Sequence, residues 1–92
     1  MNNVTALIGD EYDDALVIAL NQALLDKNIH IVKKTSTIDL QIIEVEINNK
    51  ILLIEKETFV GLTITGDKLV VDKFVKNIYD KLHIDKAIQY LV

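Results

Sequence analysis

The chain has 92 residues, half of them apolar, with 14 acidic residues against 10 lysines and a formal net charge of −4. It contains no Cys, Pro, Trp or Arg, a single Ser (Ser36) and only two His (His30, His83). Disulfides, thiolate chemistry and bidentate arginine clamps are thereby excluded from this chain, and the acidic balance argues against a surface built to neutralise nucleic-acid phosphates.

Asn3-Val4-Thr5-Ala6-Leu7-Ile8 is a short apolar run closed by Gly9-Asp10, which predicts a strand leaving through a turn. Asp10 is placed to cap a helix, with Glu11, Asp13 and Asp14 at the positive end of its dipole. The helix is expected over about 11 to 27, from the spacing of Tyr12, Leu16, Ala19 or Leu20, Ala23 and Leu24, with Asn28 as its left-handed terminator. Within it, Ala15-Leu16-Val17-Ile18-Ala19-Leu20 covers the whole circumference with apolar groups. An amphipathic surface helix needs one apolar stripe, so this one is expected to be buried on two sides.

From residue 29 the period changes from 3.6 to 2. Ile29-His30-Ile31-Val32 predicts a strand ending at Lys33-Lys34, followed by a polar connector at Thr35-Ser36-Thr37. The next strand, about 38 to 47, sets Ile38, Leu40 and Ile42 on one face and then Ile43, Val45 and Ile47, a phase slip that predicts a bulge near Ile42-Ile43. Asn48-Asn49 reads as a tight hairpin turn. Ile51-Leu52-Leu53-Ile54 reads as a strand covered on both faces. A turn around Lys56-Glu57-Thr58 then leads into a strand from Phe59 to Thr65. Gly66-Asp67 opens a helix of about 68 to 82 whose Val71, Phe74, Val75, Ile78 and Leu82 form one stripe, with Asp72 and Lys76 paired on its outer face. Ile84, Ala87, Ile88 and Leu91 repeat the helical spacing and predict a short terminal helix.

The expected fold is therefore α+β over a single domain, 1–92: a short N-terminal strand, a long helix, an antiparallel meander of about four strands, one long helix and a short C-terminal helix. No apolar run reaches the length of a membrane span, and Met1-Asn2-Asn3 lacks the basic region of a secretory signal, so a cytoplasmic protein is expected.

The residues that could carry chemistry have simpler structural roles. Asp10, Glu11, Asp13 and Asp14 match no calcium loop and are accounted for by helix capping. His30 alternates along a strand, and His83 with Asp85 reads as the end of one helix and the cap of another rather than an acid–base pair. Gly9, Gly61 and Gly66 form no phosphate-binding loop. No catalytic, metal or cofactor site is assigned, and no cofactor is expected.

Leu40-Gln41-Ile42-Ile43-Glu44-Val45, Lys50-Ile51-Leu52-Leu53-Ile54 and Phe59 to Asp67 lead into the last long helix, and together with the helix at 11 to 27 they span roughly residues 10 to 82. In this order of helix, meander and helix the chain resembles the Roadblock family of small dimeric domains, of longin-like and profilin-like architecture. It differs in having one strand, where such domains usually have two, before the central helix. The resemblance implies a noncatalytic dimer that regulates small Ras-like GTPases or scaffolds a larger complex.

Apart from that likeness, the missing catalytic residue types and the apolar first helix favour a homodimeric binding or scaffold domain. Leu16, Val17, Leu20 and Leu24 are the candidate core and interface residues. Two other readings are a small acidic inhibitor, of phage or mobile-element type, that occupies a basic groove, and an accessory subunit of an enzyme complex. The inhibitor requires Asp10, Glu11, Asp13, Asp14, Asp39, Glu44, Glu46, Glu55 and Glu57 to gather on one face.

Overall fold

Residues 2–10 and 12–91 are described by the structure, a computed structural model. In chain order the elements are β1 (Asn3–Gly9), α1 (Asp14–Leu24), β2 (Ile29–Ser36), β3 (Leu40–Ile47), β4 (Lys50–Glu57), β5 (Gly61–Asp67), α2 (Lys68–Lys81) and β6 (Gln89–Tyr90). All six strands join one antiparallel sheet in the order β2-β3-β4-β5-β1-β6. β2 to β5 form a meander, β1 takes the free edge of β5, and β6 takes the free edge of β1.

Strand alternation divides the sheet into two unlike faces. Ala6, Ile8, Ile43, Val45, Leu52, Ile54, Leu62 and Ile64 all point to one side and form a single core with Leu16, Ala19, Leu20 and Ala23 of α1 and Val71, Phe74, Val75 and Ile78 of α2. Both helices thus cover the same face. Each of the larger side chains buried there contributes about 1.5–3 kcal/mol. Gly66 keeps the contact between β4 and β5 close: a Cβ there would meet Leu52 and lie 2.9 Å from the Ile51 carbonyl oxygen.

This layout corrects the expected one. The sheet has six strands, one more than the N-terminal strand and the meander of about four that were expected, and among residues 84–91 there is no helix, only β6. The helical spacing of Ile84, Ala87, Ile88 and Leu91 lost to an unpaired strand edge. Tyr90 pairs with Ala6, Ile88 packs against the core, and the Leu91 N–H donates to the Thr5 carbonyl oxygen at 2.7 Å. Backbone groups on β1 that a helix would have left unpaired are satisfied in this way.

Three local expectations also change. α1 is shorter than 11 to 27 because Asp13, not Asp10, is its N-cap and accepts from the Leu16 N–H at 3.2 Å, while Leu25 is the C-cap. The β3–β4 register runs unbroken from Leu40 to Ile47, and the irregularity lies across the ladder in β2, between Ile31 and Lys33. The phase slip in β3 reflects apolar residues on both faces: Leu40 and Ile42 on the uncovered one, Ile43 and Val45 beneath the helices. β4 is covered on one face only, with Leu52 and Ile54 fully buried while Ile51 is exposed. The tight turn at Asn48-Asn49 is formed, both residues having positive φ (52° and 63°).

Candidate interaction surface

The residues expected at an interface separate into two groups. Leu16 and Leu20 are fully buried in the chain's own core, Leu24 is half-buried against it, and Val17 is half-buried. The outward side of α1 carries Ala15 and Ile18 with the polar Asn21 and Gln22, and Leu25 follows as the C-cap; Ile18 is 57% and Leu25 83% exposed. Tyr12, just before the helix, is 73% exposed.

The acidic residues gather in part. Alternation places Glu44 and Glu46 of β3 and Glu55 and Glu57 of β4 on the uncovered face, where Glu44 faces Leu53, Glu46 faces Ile51, and Ile42 faces Glu55. On the edge strand, Lys33 and His30 register against Glu44 and Glu46. Asp10 accepts from the Tyr12 N–H at 2.9 Å, Asp13 caps α1, and Asp14 lies in its first turn. Glu11 lies outside the described residues. Among the described residues no three His, Asp or Glu side chains converge closely enough to hold a metal ion. No helix there is long and apolar enough to cross a membrane.

Sequence reasoning missed the end of the sheet where the β2–β3 and β4–β5 turns meet. Phe59 and Val60 are not strand residues. β4 continues to Glu57, the Val60 N–H closes a turn onto the Glu57 carbonyl oxygen at 3.2 Å, and β5 starts at Gly61. The Thr58 N–H and hydroxyl both donate to the Asp39 carbonyl oxygen, at 3.1 and 3.3 Å, and so tie the two turns together. Ile38 is 99% exposed in one turn and Phe59 89% exposed in the other. Thr58, Phe59 and Val60 line a cleft of about 410 Å³ with Leu7, Gly9, Asp10, Tyr12 and Gly61. Glycine is required at 61, where φ is +111° and a Cβ would lie 2.5 Å from the Gly9 carbonyl oxygen.

One linked group of titratable side chains lies elsewhere, where β6 meets the start of α2. Lys68 Nζ donates to the Asp72 carboxylate at 2.8 Å, the Tyr90 hydroxyl donates to the same carboxylate, and the ammonium sits 5.2 Å from the Tyr90 ring centroid. Burial pushes the Asp72 carboxyl upward, but the hydrogen bonds from Lys68 and Tyr90 outweigh it and the net shift is below the usual carboxylate value. Hydrogen bonding to Asp72 raises both Lys68 and Tyr90. The arrangement clasps β6 to α2. Tyr79 is buried with no hydrogen-bond partner for its hydroxyl among the described residues, and burial raises its pKa. His83 has φ +56° directly after α2, where it ends the helix.

No protein-family model, no curated protein and no solved structure matches the chain.

Proposed function

We propose that this chain is a noncatalytic protein-interaction module that works as a homodimer, with the outer face of α1 in the contact. The observation that carries the reading is a single helix whose inner side is fully buried while Ile18 and Leu25 stand in solvent on its outer side. Exposed aliphatic side chains such as these gain by packing on a copy of themselves around the polar Asn21 and Gln22, and a two-fold contact repeats the same patch on both partners. α1 has 11 residues, so it is about 16 Å long and about 10 Å across. A stable interface needs about 800 Å² per partner, and the contact therefore extends past both helix ends, through Tyr12 and Leu25. The likeness to Roadblock domains supports the same reading and adds a role as scaffold or as regulator of a small GTPase.

Light scattering on the purified 10.4 kDa chain tests it. Twice that mass for the wild type and the chain mass for Ile18→Asp are expected, whereas a wild type that stays at the chain mass at high concentration removes the homodimer. Ile18 is a cleaner position than the half-buried Val17 because it is the more exposed of the two.

A second reading, the acidic inhibitor of a basic groove, is favoured by the four glutamates on the uncovered face. A monomeric wild type whose Glu44→Lys and Glu55→Lys variants no longer bind a cationic target would select it.

A further inference from the structure

We propose that the joined β2–β3 and β4–β5 turns form a second docking surface, one that receives a partner-protein segment in which apolar side chains are flanked by Lys or Arg. The proposal rests on the reading of the chain as an interaction module but not on its being a dimer.

Tyr12, Ile38, Phe59 and Val60 are all exposed at one end of the sheet, and none of them contributes to the core. Large apolar groups concentrated at one place are a recognition feature, unlike the same number scattered singly. The backbone that presents them is already ordered. Thr58 is held twice by the Asp39 carbonyl oxygen, Val60 closes its turn on Glu57, and Gly61 packs on the backbone of Gly9. Binding at a surface held in this way costs little further conformational entropy. The cleft beside Phe59 offers room for an apolar side chain of the partner.

Charge selects the occupant. Asp39 adjoins Ile38, Glu57 precedes the Phe59 turn, and Asp10 lines the cleft. Among the described residues the ion pairs are Lys50–Asp67 and Lys68–Asp72, so these three acids are unpaired there. The nearest lysine in sequence, Lys56, registers with Leu62 and so alternates onto the helix-covered side. An acidic rim attracts a cationic segment and repels anionic lipid headgroups. A second copy of this chain would set the same acids against each other, which opposes self-association at this end.

The test is an NMR titration of the ¹⁵N-labelled full chain with two short synthetic peptides, one alternating Leu with Lys and one alternating Leu with Glu. The Leu/Lys peptide is expected to shift the amides of Tyr12, Ile38, Asp39 and Thr58 to Gly61, and the Leu/Glu peptide to shift none of them. Phe59→Ser weakens Leu/Lys binding about tenfold or more, the loss expected for an interfacial aromatic anchor. Ile18→Asp leaves it unchanged, which separates this surface from the dimer contact. Shifts centred on Glu44, Glu46 and Glu55 overturn the proposal while keeping the interaction reading. Equal response to both peptides, no response to either, or binding to anionic vesicles that Phe59→Ser abolishes also overturns it. So does a fall in light-scattering mass on Phe59→Ser, which would assign the turns to self-association.

Discussion

The two ends of the sheet are built from the same strands and differ in almost every other respect. At one end Asn48-Asn49 makes a two-residue turn, Lys50 lies 3.7 Å from Asp67, and Asp67 caps α2. At the other, longer turns carry Ile38, Phe59 and Val60 into solvent, and the acids beside them are unpaired among the described residues. The first end closes its ladder in two residues, and the exposed apolar group beside it, Leu69, belongs to the first turn of α2 rather than to the turn. The second leaves apolar surface exposed that closing the ladder does not require, and exposed surface of that kind is where recognition is to be sought.

The largest test of this contrast sets two big apolar residues against each other. Leu52 is fully buried beneath the helices, and Leu52→Ala should cost about 2–5 kcal/mol in urea denaturation. Phe59→Ser, although it removes a larger side chain, should stay within about 0.5 kcal/mol of wild type, as exposed positions do. A large loss at Phe59 would mean that the turn supports the fold, and the contrast would fail.

A smaller effect compares the backbones of the two ends. Gly61→Ala forces a side chain into positive φ and against the Gly9 carbonyl oxygen, and should cost about 1–3 kcal/mol. Asn49→Val, at the other end, also places a β-branched side chain in the left-handed region, where the strain is about 1–2 kcal/mol. Thermal melts of both variants should show comparable losses. Only Gly61→Ala should also disturb the amide signals of Thr58 to Val60.

These differences explain how far the fold and the surface could be read from residues alone. Asn48-Asn49 between two apolar runs and the stripe from Val71 to Ile78 carry local signals that nothing in the tertiary structure opposes. Phe59-Val60-Gly61-Leu62 alternates as a strand should, yet Gly61 has the positive φ that delays β5, and no neighbouring residue announces it. The last segment has helical spacing, but the open edge of β1 is a tertiary fact that no local pattern contains. The same holds for α1. Its apolar circumference was legible, whereas which side the core would claim is set by tertiary packing, such as that of Leu16 in the space left by Gly9. The surface at the turns was illegible for a further reason, since it is assembled by a hydrogen bond between residues 19 positions apart.

The smallest expected effect concerns the clasp that holds β6, which ties the Asn48 end to the C-terminal strand and has no counterpart at the opposite end among the described residues. Asp72 has its carboxyl held below the ordinary value of 3.8, so its contribution is present above that value and is lost as pH falls through the lower value of the folded state. Lys68 and Tyr90 are shifted upward, so their contributions are present below their ordinary values of 10.5 and 10.0 and are lost as pH rises through the raised values of the folded state. Lys68 and Tyr90 are exposed and Asp72 is only partly buried, which keeps the effect small. Other carboxylates also respond to acid, but they are common to wild type and Asp72→Asn and cancel in the difference between the two. The gap in melting temperature should therefore be widest near neutral pH, narrow on acidification, and narrow again in alkali as Tyr90 and Lys68 lose their protons. A gap that stays constant with pH would mean that Asp72 acts by shape alone and that Lys50–Asp67 is left as the electrostatic difference between the two ends.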